Sequence, residues 1–188
     1  MCREIKKICV TNRNLVQGDF LQQIEKVMAM KPEALILREK DLSAEVYEAL
    51  AAKVLNLCNK ADIPCYFNSQ PELAVKLGAD GVQLSFADAR SLSRELRQSL
   101  CRLGISVHSE EEAVQAQSMD AAYIIYGHIF ATDCKKDVPP RGLDALRGIC
   151  NSVSIPVFAI GGIDEQNAPL CIEAGACGVC MMSGFMRA

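Results

Sequence analysis

The run Leu77-Gly-Ala-Asp-Gly-Val-Gln-Leu84 closes a helix and opens a strand in one short passage. Gly78 supplies the left-handed residue on which helices commonly stop, and Gly81-Val-Gln-Leu84 begins an apolar run of strand length. The same punctuation returns at Ser118-Met-Asp-Ala-Ala122 and at Ala174-Gly-Ala-Cys-Gly178. Helix-to-strand joints that recur in one form predict βα units laid side by side on a parallel sheet.

Working outward from these joints, strands are expected at Lys7–Thr11, Ala34–Leu37, Cys65–Asn68, Gly81–Leu84, Gly104–Val107, Ala122–Tyr126, Val157–Ile160 and Gly178–Met182. A helix is expected over Ser43–Cys58, with Val46, Leu50, Val54 and Leu57 facing the strands. This count and rhythm predict a TIM (β/α)8 barrel rather than an open doubly wound sheet, which opens on a Gly-rich first turn. The chain stops at Phe185-Met-Arg-Ala188, so the expected barrel lacks its eighth helix. The outer faces of the first and last strands then need another cover, either a second copy in a homodimer or residues lost by truncation.

A length of 188 residues suits one domain, spanning 1–188, with half the residues hydrophobic and 23% charged. A formal charge of -3, with bases interspersed among acids, offers no field for nucleic acid. The apolar run Ile8-Cys-Val10 is too short for an export signal, and the stretch from Ala121 to Tyr126 is far shorter than the ~20 residues of a membrane span. A cytoplasmic protein with no membrane partner is expected. The ten cysteines are scattered through apolar runs, which reads as reduced, buried thiols rather than a disulfide framework. Cys177 and Cys180 are three apart in an expected strand and should point to opposite faces, which argues against a joint redox or metal role.

In such a barrel the chemistry lies at the carboxyl ends of the strands. Arg38, Glu39 and Lys40 follow the second strand, Asn68 and Ser69 the third, Ser85 to Asp88 the fourth, and His108 and Ser109 the fifth. His128, Thr132, Lys135 and Lys136 follow the sixth. His128 is the candidate for proton transfer, because imidazole exchanges a proton near neutrality; His108 reads better as a loop residue. Gly161-Gly162 and Met182-Ser183-Gly184 stand where barrels cradle a phosphate with backbone N–H groups. Arg38, Lys40 and Lys135 are candidate cations for a phosphate or carboxylate. No metal is expected from this set, since Asp88 faces Asn68 and Ser69 in the sequence pattern rather than a second carboxylate.

Leu37-Arg-Glu-Lys-Asp41, Leu77-Gly-Ala-Asp-Gly-Val-Gln-Leu84, Gly104-Ile-Ser-Val-His-Ser109 and Ile155-Pro-Val-Phe-Ala-Ile-Gly-Gly-Ile163, in this order, resemble the thiamin phosphate synthase and TenI family over essentially the whole chain. Within that family Tyr126-Gly-His-Ile-Phe-Ala-Thr-Asp-Cys-Lys-Lys136 followed by Arg141-Gly142 is most similar to the thiazole tautomerase branch. The resemblance implies an isomerase that aromatises a thiazole carboxylate phosphate, with His128 catalytic and no cofactor. Arg38, Lys40, Asn68, Ser106, Thr132, Lys135, Gly161, Gly162, Met182 and Ser183 would bind the phosphorylated thiazole.

Two alternatives remain open. One is a thiamin phosphate synthase that couples a hydroxymethylpyrimidine pyrophosphate to the thiazole phosphate, with Mg2+ held by Asp88. The other is a non-catalytic regulatory or ligand-binding relative. Against the synthase stand Ile36, where that branch has glutamine, and Asn68-Ser69, where it has an Asn-Asp pair.

Overall fold

The computed structural model describes residues 5–132 and 138–188. Eight parallel strands run in sequence order as a closed barrel: β1 (Lys6–Val10), β2 (Ala34–Leu37), β3 (Cys65–Asn68), β4 (Gly81–Ser85), β5 (Leu103–Val107), β6 (Tyr123–Gly127), β7 (Val157–Ile160) and β8 (Gly178–Met181). The expected barrel and all eight expected strands are therefore present, each within a residue or so at its ends. Every residue of β2, β6 and β8 is buried, as strands covered on both faces must be. No helix among the described residues is long and apolar enough to cross a membrane.

The chain divides into two compact units. The first to be described comprises Ile8–Gln83, Ser91–Arg102 and Met182–Ala188. Here β1 pairs β2 with Ile8 opposite Ala34, β2 pairs β3 with Leu35 opposite Cys65, and β3 pairs β4 with Asn68 opposite Gln83. The helices are α1 (Phe20–Ala29), α2 (Ala44–Ala61), α3 (Pro71–Leu77), α5 (Arg94–Ser99) and α9 (Ser183–Met186). Asp19, Ser43 and Ser93 cap α1, α2 and α5 by accepting from the backbone N–H three residues on.

Two expectations are corrected in this unit. The buried stripe of α2 is Tyr47, Ala51, Val54, Leu55 and Cys58, one residue round from the expected stripe, and Val46 is exposed. Tyr47 sets that rotation: its hydroxyl donates to the Leu37 carbonyl at 2.8 Å and its ring meets Phe67 edge-on at 6.2 Å. The second correction concerns the residues after β8, which form the single turn α9 and bury Phe185 and Met186. The buried amide of Gln23, on α1, fastens that turn by donating to the carbonyls of Phe185 at 2.7 Å and Ala188 at 3.1 Å.

The other unit holds Leu84–Arg90 and the described residues of 103–181, together with residues 5–7. In it β5 pairs β6, β6 pairs β7 and β7 pairs β8, with Ser106 opposite Ile125, Tyr126 opposite Ala159 and Ile160 opposite Cys180. Its helices are α4 (Phe86–Ser91, whose last residue belongs to the first unit), α6 (Glu110–Ser118), α7 (Gly142–Ser152) and α8 (Ala168–Glu173). Cys180 is buried within β8, whereas Cys177 lies just ahead of that strand and is exposed.

The three joints read in the sequence share one geometry with a fourth, at Asp62-Ile63, that the sequence reading did not single out. Ile63, Ala79, Ala121 and Ala176 each donate a backbone N–H to the carbonyl five residues earlier, at 2.9 to 3.2 Å. The residue before each donor has positive φ: Asp62 at 56°, Gly78 at 69°, Asp120 at 58° and Gly175 at 104°. Aspartate thus takes the left-handed place at two of the four joints, a conformation its short polar side chain tolerates better than most.

Candidate active site

In the first unit the loops after β1 and β2 are built around a buried carboxylate. Thr11 follows β1, is fully buried, and donates its N–H to the Ile36 carbonyl at 3.0 Å. Its hydroxyl donates to Glu39 Oε1 at 2.7 Å and accepts the Arg38 N–H at 2.9 Å. The backbone N–H of Arg13 reaches both Glu39 oxygens at 3.1 Å, and its guanidinium Nη1 reaches Oε2 at 3.2 Å. The same guanidinium grips Asp41 through both oxygens, at 2.5 and 2.6 Å. Held in this way by Arg13, the Asp41 carboxyl is drawn down to about 2 from its ordinary 3.8.

This network consumes the acids and leaves the bases. Among the described residues, neither the half-buried Arg38 guanidinium nor the exposed Lys40 ammonium has a hydrogen bond or ion pair. A guanidinium without an acid, on a backbone pinned by Thr11, is arranged to take an anion. Asn68 ends β3 and donates its amide to Ser69 Oγ at 2.9 Å, while Ser69 has φ of 58° and donates its N–H to the Gln83 carbonyl. Ser183 is exposed, and the thioether of Met182 accepts from the Asn12 amide at 3.7 Å.

In the second unit the loop after β6 lies against the loop after β7. His128 is buried at 4% exposure, and its Nε2 lies 3.0 Å from the Val138 carbonyl. A carbonyl only accepts, so Nε2 carries the proton in this contact. The His128 carbonyl accepts the Arg141 N–H at 2.9 Å, and Arg141 also donates its Nε to the Gly127 carbonyl while stacking over the Tyr126 ring.

The glycines of this region are explained by close approach. A Cβ on Gly161 would stand 2.2 Å from the His128 Cβ, and one on Gly162 would stand 2.4 Å from the Ala131 carbonyl oxygen. Their φ angles, 98° and 66°, add a second reason for glycine. Backbone bonds seal the contact: Ile129 N–H to the Ile160 carbonyl at 2.9 Å, and Phe130 N–H to the Gly161 carbonyl at 3.0 Å.

The remaining expected residues of this unit are more open. Ser106 on β5 is half-buried, as is Thr132, and both have contacts within the protein. His108 lies in the loop ahead of α6 and donates its N–H to Glu112 Oε2 at 2.6 Å. Asp88 is exposed on α4, where its Oδ2 accepts the Ser85 hydroxyl at 2.7 Å. Lys135 lies outside the described residues.

The sequence reading missed Thr11, Arg13 and Asp41 as parts of a site. The available signal was Glu39, an acid inside an alternating Arg-Glu-Lys-Asp run directly after a fully apolar strand. Among the described residues no three His, Cys, Asp or Glu side chains are grouped to hold a metal ion.

Comparison with known proteins agrees with the barrel and changes the expected chemistry. A family model described as thiamine monophosphate synthase matches residues 8–185. The chain is 34% identical to the thiamine-phosphate synthase of Clostridium acetobutylicum, covering 98% of this chain and 89% of that protein. It is 37% identical to the thiamine-phosphate synthase of Roseiflexus castenholzii, covering 99% and 82%. Among solved structures, the thiamine phosphate pyrophosphorylase of Pyrococcus furiosus superposes with a TM-score of 0.82 at 26% identity, covering 97% of this chain and 94% of that one.

The two sequence relatives are named thiamine-phosphate synthases and the solved structure a thiamine phosphate pyrophosphorylase, and this overturns the expectation of a thiazole tautomerase. The missing second carboxylate had weighed too heavily in that expectation, because magnesium often takes only one or two carboxylates and completes its shell from substrate phosphates. The single observation that ties sequence, barrel and relatives together is the match over nearly the whole length, and by it this chain belongs to the thiamine monophosphate synthase family.

Proposed function

We propose that this protein joins a hydroxymethylpyrimidine pyrophosphate to a thiazole phosphate and releases pyrophosphate. The observation that carries this reading is the uncompensated pair Arg38 and Lys40 beside a Glu39 already consumed by Arg13. In the coupling, the bond between the pyrimidine methylene carbon and the pyrophosphate oxygen breaks, and its electron pair departs on pyrophosphate. The lone pair of the thiazole ring nitrogen forms the new carbon–nitrogen bond. Charge therefore develops on the leaving oxygens, which Arg38 and Lys40 are suited to stabilise.

No proton moves at the reacting atoms in this step. Coupling thus makes no demand for a general base at His128, and its Nε2–H is already committed to Val138. We assign His128 to holding the ends of its loop, through its ring and through its carbonyl bonded to Arg141.

Asn68 and Ser106 are assigned to the pyrimidine pyrophosphate. The thiazole phosphate is assigned to the backbone N–H groups of Gly161 and Gly162, with Thr132, Met182 and Ser183 as further contacts. Asp88 fits a Mg2+ ion that arrives on the pyrophosphate, since it offers one exposed carboxylate in a family whose substrates supply phosphate oxygens. When bound, that ion would offset the charge of the leaving group.

The test is direct. The purified chain is incubated with both substrates and Mg2+, and thiamin phosphate and pyrophosphate are followed together. Equal release of the two products is expected, with kcat/KM lowered about 10²–10³-fold in Arg38→Ala, the usual cost of losing one donor to developing charge. A wild-type chain that forms neither product overturns the reading.

A further inference from the structure

The segment Arg38-Glu39-Lys40-Asp41 alternates positive and negative charge, and in solvent such neighbours compensate one another weakly and without selection. The fold selects. Glu39, with a side chain only 1% exposed, is taken by the Thr11 hydroxyl at 2.7 Å and by Arg13 at 3.1 and 3.2 Å; Asp41, about half exposed, is taken by Arg13 through both oxygens. Arg13 thus sits between two carboxylates, and its planar fork is the geometry that holds them at once.

We propose that Arg13 is a positioning residue for anion capture after β2: anchored on the buried Glu39, it holds Asp41 off Arg38 and Lys40, leaving these cations open to the pyrophosphate of the pyrimidine substrate. The inference rests on the coupling function proposed above and names the residue that prepares its anion site. Without Arg13, Asp41 is adjacent in the chain to Lys40, carries its charge at every pH above about 4, and becomes the nearest competitor to an incoming pyrophosphate. Burial keeps Glu39 among its Thr11 and backbone partners, so Asp41 is the acid that would be set free.

The experiment measures binding of inorganic pyrophosphate with Mg2+ by calorimetry, on the full chain, for the wild type, Arg13→Ala, and the double variants Arg13→Ala/Asp41→Asn and Arg13→Ala/Glu45→Gln. Arg13→Ala should weaken binding about twofold to fivefold, the worth of a partly exposed charge pair. Adding Asp41→Asn should restore most of that loss, while Glu45→Gln, which removes an equal charge from the first turn of α2, should not. In the coupling assay the KM for the pyrimidine pyrophosphate should follow the same order, with the KM for the thiazole phosphate unchanged. Thermal unfolding checks that each variant is folded; if Arg13→Ala is not, Arg13→Lys takes its place, with a smaller loss and the same rescue.

Wild-type binding left unchanged by a folded Arg13 variant, or a double variant with Asp41→Asn that binds as weakly as the single one, overturns the positioning role alone. Rescue by Glu45→Gln as strong as by Asp41→Asn also overturns it, since a diffuse field would then suffice. A wild type that neither binds pyrophosphate nor couples the substrates overturns this role together with the proposed function.

Discussion

After β2 the backbone is anchored by side chains, with Thr11, Arg13 and Glu39 binding one loop to another through charge and hydroxyl contacts. After β7 it is anchored by the lack of side chains, with Gly161 and Gly162 letting one backbone lie on another and share direct N–H to carbonyl bonds. The first arrangement responds to charge and pH; the second responds to volume. An anion site that must keep some cations unpaired needs the first kind of support. A loop that must only stay in place is served by the second.

The largest effect should come from volume. Gly161→Ala puts a Cβ 2.2 Å from that of His128 at a φ of 98°, and should cost about 3–5 kcal/mol in urea unfolding, because neither backbone has room to retreat. A loss below about 1 kcal/mol would mean that the two loops yield easily and that the contrast with the β2 end is overstated.

Glu39→Gln comes next. It keeps the shape and removes the charge that two Arg13 groups and Thr11 address, so a loss of about 2 kcal/mol is expected, smaller than that of Gly161→Ala. His128→Gln should cost about 1 kcal/mol of stability through the bond to Val138. It should leave coupling turnover within about tenfold of wild type, whereas loss of a general acid or base costs ~10²–10⁴. A collapse of turnover in that variant would return His128 to the chemistry.

The smallest effect is a pH slope. The Asp41 carboxyl is held near 2 against an ordinary 3.8, so its pairing with Arg13 contributes above pH 4 and is lost as the pH falls toward 2. Between these limits the wild type should lose stability more steeply than Asp41→Asn, as read from urea midpoints. High salt should narrow the difference, because the carboxylate is exposed to solvent.

The strands were legible because parallel strands covered on both faces must be short apolar runs, and Ala34–Leu37 and Val157–Ile160 coincide with their expected bounds. The helix-to-strand joints were legible because left-handed residues are restricted in kind. The rotation of α2 was not, since Tyr47 looks amphipathic in sequence and only the Leu37 carbonyl and the Phe67 ring give it a buried place. The Arg13–Glu39–Asp41 network was hidden for a related reason: an acid among bases reads as a solvated surface until the distant Thr11 and Arg13 are brought to it. The sequence marked Gly161 and Gly162 only as a phosphate cradle, whereas the close approach of His128 and Ala131 is by itself enough to require glycine at both positions, and the distance in sequence hid that contact. The pathway was legible in the ordered motifs, but the branch was not, because one missing carboxylate does not decide whether magnesium can be held.

Cys9, Cys58, Cys65, Cys171 and Cys180 are all enclosed as free thiols in the folded chain. Burial makes Cys180 harder to ionise than an ordinary thiol, so the native interior is chemically quiet. That quiet ends with the fold. A heated chain should expose these sulfurs together, and oxidation by air would then join some of them in pairings that block return to the barrel. Melting should accordingly be reversible in a reducing buffer and dependent on scan rate without one, so that the shelf life of this protein is governed by how rarely it opens.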